Sequence, residues 1–215
     1  MELTPAVLVD QKEKINQLLK NIKNIIPRVQ IDILDGKFAD NKTISIKELQ
    51  EIKILQSFAV DLHLMVQEPL HLFKEIEKIP VNNLVTQIEP LKDQEEFVNR
   101  AIKKKLKPGL AIDLNTPVKK LNKKLFTHLG QVLLMSVKAG FGGQEFNPKV
   151  YRKIVFLNKL KKEQNVNFEI CVDGGINYKR AKKCFKKGAN VVAVGSYFWK
   201  QKDYQKIYNK FKNIQ

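Results

Sequence analysis

Short β-branched apolar runs alternate with amphipathic, lysine-rich segments along this chain, and the alternation restricts its possible folds more than any other feature. It recurs every ~20 to 30 residues, which is typical of βα units that build a parallel sheet. Eight runs have the character of strands: 3–9, 29–34, 58–65, 84–88, 109–114, 132–137, 167–172 and 191–194. Eight such units predict an α/β fold, a (β/α)8 TIM barrel.

The segments between these runs carry signals for the beginnings and ends of helices. In the first segment, Asp10 is a candidate N-cap with Glu13 as its capping-box partner, and Pro27 marks the end. Asn147-Pro148 predicts the N-cap and first position of the helix after the sixth strand.

The chain reads as one unit. No Ser/Gly linker, repeat or change in composition divides it, so we expect a single (β/α)8 barrel domain over residues 1–215. An open doubly wound sheet is the main alternative, because 215 residues are few for eight βα units. The eighth run and a final helix over 204–211 favour the closed barrel.

The strong positive charge does not by itself predict a nucleic-acid-binding protein. The chain carries 39 Lys and Arg against 22 Asp and Glu, a net charge of +17, yet only four of the cations are arginine. Phosphate and groove recognition favour arginine, and the lysines are spread over nearly every predicted helix. We therefore expect solvated helices and no nucleic-acid partner.

Cysteine usage and hydropathy bear on the compartment. Cys171 and Cys184 form neither a disulfide framework nor a metal-ligand spacing, which fits a reducing compartment. No stretch approaches the ~18 consecutive apolar residues of a membrane span, and the first residues do not resemble a secretory signal. We expect a cytoplasmic protein without a membrane partner.

Polar residues interrupt the second and third strands. The period of two places neighbouring interruptions on a common face. The two sets are Gln30, Asp32 and Leu34, and Asp61, His63 and Met65. We expect Asp61 to support a site rather than to react.

Two acids are candidates for chemistry because the active site of a barrel lies at the carboxyl ends of its strands. Asp32 near the end of the second strand and Asp173 at the end of the seventh are predicted to face each other, with His63 nearby. Two acids on opposite sides of a carbon can invert a C–H centre, one removing the proton and the other returning it. A cation between them would stabilise an enediolate.

Glycine-rich loops follow the sixth, seventh and eighth strands. Their backbone N–H groups suit a phosphate, although such loops also serve merely as turns. The segments are Gly140-Phe141-Gly142-Gly143, Gly174-Gly175 and Gly195-Ser196.

These motifs resemble the ribulose-phosphate 3-epimerase family over nearly the whole chain. The most specific segments are Asp61-Leu62-His63-Leu64-Met65-Val66 and Gly140-Phe141-Gly142-Gly143-Gln144. The resemblance implies a TIM barrel of the ribulose-phosphate-binding type. It also implies interconversion of D-ribulose 5-phosphate and D-xylulose 5-phosphate by two-base proton transfer at C3, as in the pentose phosphate pathway, and a homo-oligomer.

The resemblance also implies roles for individual residues. Asp32 and Asp173 match the acid/base pair and two metal ligands, and His63 matches a third ligand of a divalent ion such as Zn, Fe(II), Mn or Co. Met65 and Met135 match methionines that line the enediolate. The phosphate-binding residues would be Gly142, Gly143, Gly174, Gly175, Gly195 and Ser196.

The sequence departs from the family pattern at the implied metal site. Gln30 stands where the family has a fourth ligand, a histidine. The other departures are Val9, Leu34, Gln87 and Cys171. An amide oxygen is a harder and weaker ligand than imidazole, so we expect lower affinity for zinc and relatively better tolerance of manganese, iron(II) or magnesium. Without a cation, repulsion between the carboxylates should raise one pKa.

Three functions are compatible with these residues. A phosphoketose 3-epimerase acting on ribulose 5-phosphate accounts for both aspartates and all the glycine loops. An epimerase of another phosphorylated ketose, such as a hexulose 6-phosphate, would account for Val9 and Leu34. A degenerate barrel that binds a phosphorylated ligand without catalysis would account for Gln30 and Gln87.

Overall fold

A computed structural model of the protein describes residues 1–214. Eight parallel strands form a closed barrel in sequence order. This confirms the TIM barrel and excludes the open sheet. The strands are β1 (Glu2–Val7), β2 (Arg28–Leu34), β3 (Ala59–Met65), β4 (Val81–Gln87), β5 (Lys107–Ile112), β6 (Gln131–Met135), β7 (Glu169–Asp173) and β8 (Val191–Val194).

Helices cover the outside of the barrel: α1 (Lys12–Ile22), α2 (Ile46–Gln50), α3 (Phe73–Ile76), α4 (Gln94–Lys103), α5 (Val150–Glu163), α6 (Tyr178–Lys186), α7 (Ser196–Trp199) and α8 (Tyr204–Lys212). The connection from β5 to β6 holds only short 3₁₀ turns, Val118–Lys120 and Lys123–Leu125, in place of an α-helix. Such short connections allow a chain of this length to complete eight strands.

The predicted cap of the first helix is wrong. Gln11, not Asp10, is the N-cap of α1, and no side chain caps that end. The prediction for the later helix is nearer. Asn147 Oδ1 accepts a hydrogen bond from the Lys149 amide at 3.0 Å, so it caps the turn that leads into α5 rather than the first residue of the helix.

Apolar side chains pack on both faces of the sheet. A large cluster fills the space between strands and helices, and a smaller one, including Leu34, Met65 and Met135, lies inside the barrel. Complete burial of a Val, Leu, Ile, Phe or Met side chain stabilises a fold by roughly 1.5–3 kcal/mol. The outer cluster therefore fixes the strands whose inner faces carry polar residues.

The amino-terminal end of the barrel is closed by an ion cluster around Arg28, which is only 6% exposed. Its Nε donates to Asp61 Oδ2 at 2.7 Å, and its Nη atoms donate to Glu2 and Glu169 at 2.8 and 2.6 Å. Burial alone would lower the pKa of Arg28, but the hydrogen bond to Glu169 and the charges of the three carboxylates outweigh burial and raise it.

Asp61 therefore belongs to the closed end of the barrel and does not support the site directly, contrary to expectation. Its other oxygen, Oδ1, accepts hydrogen bonds from Asn82 and Asn83 at 3.0 and 2.9 Å. Because this carboxylate is fully engaged, the acids at the opposite end are the ones left for chemistry.

No helix within residues 1–214 combines the length and apolar character that crossing a membrane requires.

Candidate active site

Three polar side chains meet inside the carboxyl-terminal half of the barrel: Asp32 from β2, His63 from β3 and Asp173 from β7. Asp32 and His63 are register partners on adjacent strands, and His63 Nδ1 lies 3.0 Å from Asp32 Oδ1. One potential ligand atom from each of the three residues lies within 4.8 Å of the others. The two acids thus face each other as the sequence predicts.

Gln30 joins the two acids directly. Its Nε2 donates to Asp32 Oδ1 at 2.9 Å and to Asp173 Oδ2 at 2.6 Å. The expectation was that Gln30 would offer its oxygen to a metal ion. In the structure the amide nitrogen faces the carboxylates instead.

His63 has a second partner, Gln87, which the sequence comparison already places among the departures at this site. Gln87, at the end of β4, places its Nε2 3.1 Å from His63 Nε2. Both side chains are fully buried, and Gln87 Oε1 has no hydrogen-bond partner within the described part of the chain. The position of Gln87 at the carboxyl end of β4 is the sequence signal that places it near the site.

Burial and the facing carboxylate change the acidity of one member of the pair. Burial, followed by the charge of Asp32, raises the pKa of Asp173 to about 7, while His63 and the hydrogen bond from Gln30 oppose the change. An acid that loses its proton near neutral pH can both give and take one under physiological conditions. The pair therefore has the acidity that a proton-transfer site requires.

A cavity of about 300 Å³ opens above the acids. This volume suits a small metabolite. Its lining includes both acids and every predicted substrate residue, namely Met65, Met135, Gly142, Gly143, Gly174, Gly175, Gly195 and Ser196, and also Val9 and Trp199. Trp199 packs against Tyr204 of α8, and its Nε1 donates to the Ala6 carbonyl at 2.7 Å.

The glycine loops form the rim of the cavity. Gly175 has φ +57°, and a Cβ there would lie 2.7 Å from the Phe146 amide nitrogen, so this position requires glycine. Gln144 donates to the carbonyls of Lys138 and Phe141 at 2.7 and 2.8 Å and so holds the loop after β6. Backbone N–H groups in such loops provide an anion-binding surface.

Comparison with known proteins gives the family. The model of the "Ribulose-phosphate 3 epimerase family" matches residues 2–199. The chain belongs to this family. A relative named ribulose-phosphate 3-epimerase from Bacillus subtilis is 27% identical, covering 99% of this chain and 98% of that protein. One from Methanocaldococcus jannaschii is 31% identical, covering 77% of this chain and 70% of that protein.

Solved structures support the fold of this ribulose-phosphate 3-epimerase family member. A mutant tryptophan synthase α-subunit from Pyrococcus furiosus superposes with a TM-score of 0.70 at 17% identity, covering 99% of this chain and 97% of that one. A phosphoribosyl anthranilate isomerase from Thermus thermophilus gives 0.66 at 11% identity, with full coverage of both chains. At these identities the likeness shows the barrel alone.

Proposed function

We propose that this chain is a ribulose-phosphate 3-epimerase that interconverts D-ribulose 5-phosphate and D-xylulose 5-phosphate. The observation that carries the proposal is the pair of buried acids, Asp32 and Asp173, which face each other below a cavity rimmed by glycine loops. The family assignment supports the same reaction.

The proposed chemistry is a proton transfer at C3 between two faces of the sugar. One carboxylate removes the C3 proton, and the carboxyl group opposite delivers a proton to the other face of the resulting enediolate. The raised pKa of Asp173, about 7, lets this residue hold a proton at neutral pH while its partner acts as a base. The thioethers of Met65 and Met135 line the cavity without an exchangeable proton that could compete.

The donor set fits a divalent cation. Asp32, His63 and Asp173 offer two carboxylate oxygens and one imidazole nitrogen, a combination that Zn, Fe(II), Mn and Co accept. Gln30 would add its Oε1 only after its amide turns, because Nε2 now faces the carboxylates. When bound, such an ion would stabilise negative charge on the enediolate oxygens.

We assign the phosphate of the substrate to the glycine loops after β6, β7 and β8. These loops offer backbone N–H groups at the cavity rim, and the net charge of +17 favours anionic metabolites in general. The homo-oligomer, the cytoplasmic location and the absence of nucleic-acid and membrane partners stay predictions.

The test is conversion of ribulose 5-phosphate by folded protein, in chelator and with added Mn, Fe(II), Co or Zn. Asp32→Asn and Asp173→Asn should each remove several orders of magnitude of turnover, because each removes one of the two proton carriers. Asp40→Asn, at an exposed position outside the site, is the matched control and should keep full activity.

Absence of turnover under every metal condition would contradict the proposal. A panel of phosphorylated ketoses then separates the alternatives. Turnover of a hexulose 6-phosphate alone would favour the second epimerase, and binding of all sugars without turnover would favour the non-catalytic barrel.

A further inference from the structure

The residues below the cavity form one continuous hydrogen-bonded chain: Gln87, His63, Asp32, Gln30 and Asp173. The successive distances are 3.1, 3.0, 2.9 and 2.6 Å. All five side chains are at least nine-tenths buried, so water does not replace these contacts. The direction of each hydrogen bond is therefore set by the partners themselves.

This series of hydrogen bonds fixes the position of the imidazole proton on His63. Gln87 presents its NH₂ group to His63 Nε2, so Nε2 must accept this hydrogen bond. A neutral imidazole then carries its proton on Nδ1, because the partner of one ring nitrogen decides the state of the other. Nδ1 faces Asp32 Oδ1 and donates to it.

While these hydrogen bonds are in place, the same atoms are not free to bind the cation that the donor set fits. A metal ligand needs a free lone pair, and here Nδ1 carries a proton that faces Asp32. The nitrogen of Gln30 also presents N–H groups, not an acceptor, between the two carboxylates. Hydrogen-bond donors thus face the carboxylate oxygens that would ligate a cation.

Rotation of the side-chain amides of Gln30 and Gln87 by 180° would exchange their donor and acceptor atoms and so allow metal binding. With its amide turned, Gln87 would offer Oε1, which now lacks any hydrogen-bond partner in the described chain, to a proton on His63 Nε2. That would free the Nδ1 lone pair. The same rotation at Gln30 would replace its donor with an acceptor oxygen.

We propose that Gln30 and Gln87 are positioning residues that hold the two acids by hydrogen bonds alone, and that a divalent cation enters only when both amides turn. Gln87 keeps the His63 proton on Nδ1, and Gln30 bridges the carboxylates. This deepens the proposed function and rests on it for the role of the acids. The hydrogen-bond pattern itself is measurable without turnover.

Nitrogen-15 NMR of the imidazole tests the proposal on tag-free, chelator-treated protein. The chain has three histidines, and the other two, His71 and His128, are exposed and outside the site. A His71→Gln/His128→Gln double variant leaves His63 as the sole imidazole. We expect protonated Nδ1 and unprotonated Nε2 in this protein. Protonated Nε2 with bare Nδ1 would overturn the proposal.

Two substitutions at Gln87 separate positioning from mere space filling. Glutamate at this position can only accept, so Gln87→Glu should move a proton to His63 Nε2 and strengthen binding of MnCl₂ or ZnCl₂, measured by calorimetry, by at least tenfold. Gln87→Met fills similar space but cannot donate to Nε2, so the His63 proton should no longer be confined to Nδ1; a proton that stays on Nδ1 alone would show that Asp32 sets its position without Gln87. Unchanged proton positions and metal affinity in Gln87→Glu would refute the role of Gln87.

The experiments distinguish failure of this inference from failure of the proposed function. If the protein shows no epimerase turnover but His63 carries its proton on Nδ1, the epimerase assignment fails and the positioning role stands. If turnover is present and the proton lies on Nε2 alone, the positioning role fails and the function stands.

Discussion

Replacing Asp173 with asparagine should change how stability depends on pH. The folded-state pKa of this carboxyl is raised from 3.8 to about 7, first by burial and then by Asp32. Between these values the folded protein holds a proton that the unfolded chain has released. Wild-type stability therefore falls as pH rises through this window, and the loss is complete above the folded pKa.

The size of the effect follows from the shift. One pKa unit corresponds to about 1.4 kcal/mol, so the ionisation of Asp173 costs the folded state about 4 kcal/mol above pH 8. About 2 kcal/mol of this cost is already present near pH 5.5, because the unfolded carboxyl is ionised there. Asparagine has no such cost at any pH. The free energy of unfolding of the Asp173→Asn variant, relative to that of wild type, should therefore rise by about 2 kcal/mol between pH 5.5 and pH 8.5.

Urea unfolding of wild type and Asp173→Asn in chelator, at pH 5.5, 7.0 and 8.5, measures this difference. Any constant cost of the substitution cancels in the comparison. Asp35→Asn is the control, because burial is outweighed there by backbone hydrogen bonds, first from Gln67, that lower the pKa of Asp35. Its contribution is lost only in acid, so its difference from wild type should stay flat. A flat or falling difference for Asp173→Asn would refute the reasoning.

Two further predictions concern stability. Arg28→Met should cost roughly 3–5 kcal/mol in urea unfolding, because it leaves the buried Asp61 without its cation, and a cost below ~1 kcal/mol would contradict that role. Gly175→Ala should cost roughly 2–3 kcal/mol, since φ is +57° and the new Cβ would lie 2.7 Å from the Phe146 amide. Gly142→Ala, which has open space around it, should change stability by less than ~1 kcal/mol in the same assay; equal costs would show that backbone strain is not the cause.

The strands were predictable where apolar periodicity extends over the whole element. β4 shows the limit, because it starts at Val81, three residues before the predicted start at Leu84. Asn82 and Asn83 follow Val81, and both donate hydrogen bonds to Asp61 at the closed end of the barrel. Hydrophobic patterns do not detect a strand segment whose inner face meets an ion cluster.

The acid pair was predictable from two general rules. The strand period gives the face of Asp32, and closure of the barrel brings it opposite Asp173 at the carboxyl-terminal end. The cap of α1 was not predictable in this way, because Gln11 takes the cap position without a side-chain hydrogen bond although Asp10 has the better capping side chain.

The orientation of Gln30 and Gln87 lay beyond the sequence. Which amide atom faces a carboxylate depends on partners from β2, β3, β4 and β7 at once. No local pattern encodes that choice. The same holds for Arg28, whose three acidic partners come from strands distant in the sequence.

The Arg28 cluster also bears on how small molecules reach the cavity. It fills the far end of the barrel, and the cavity lies at the opposite end, above Asp32 and Asp173. In the proposed reaction the two epimers would share this one site, so each would compete with the other for binding.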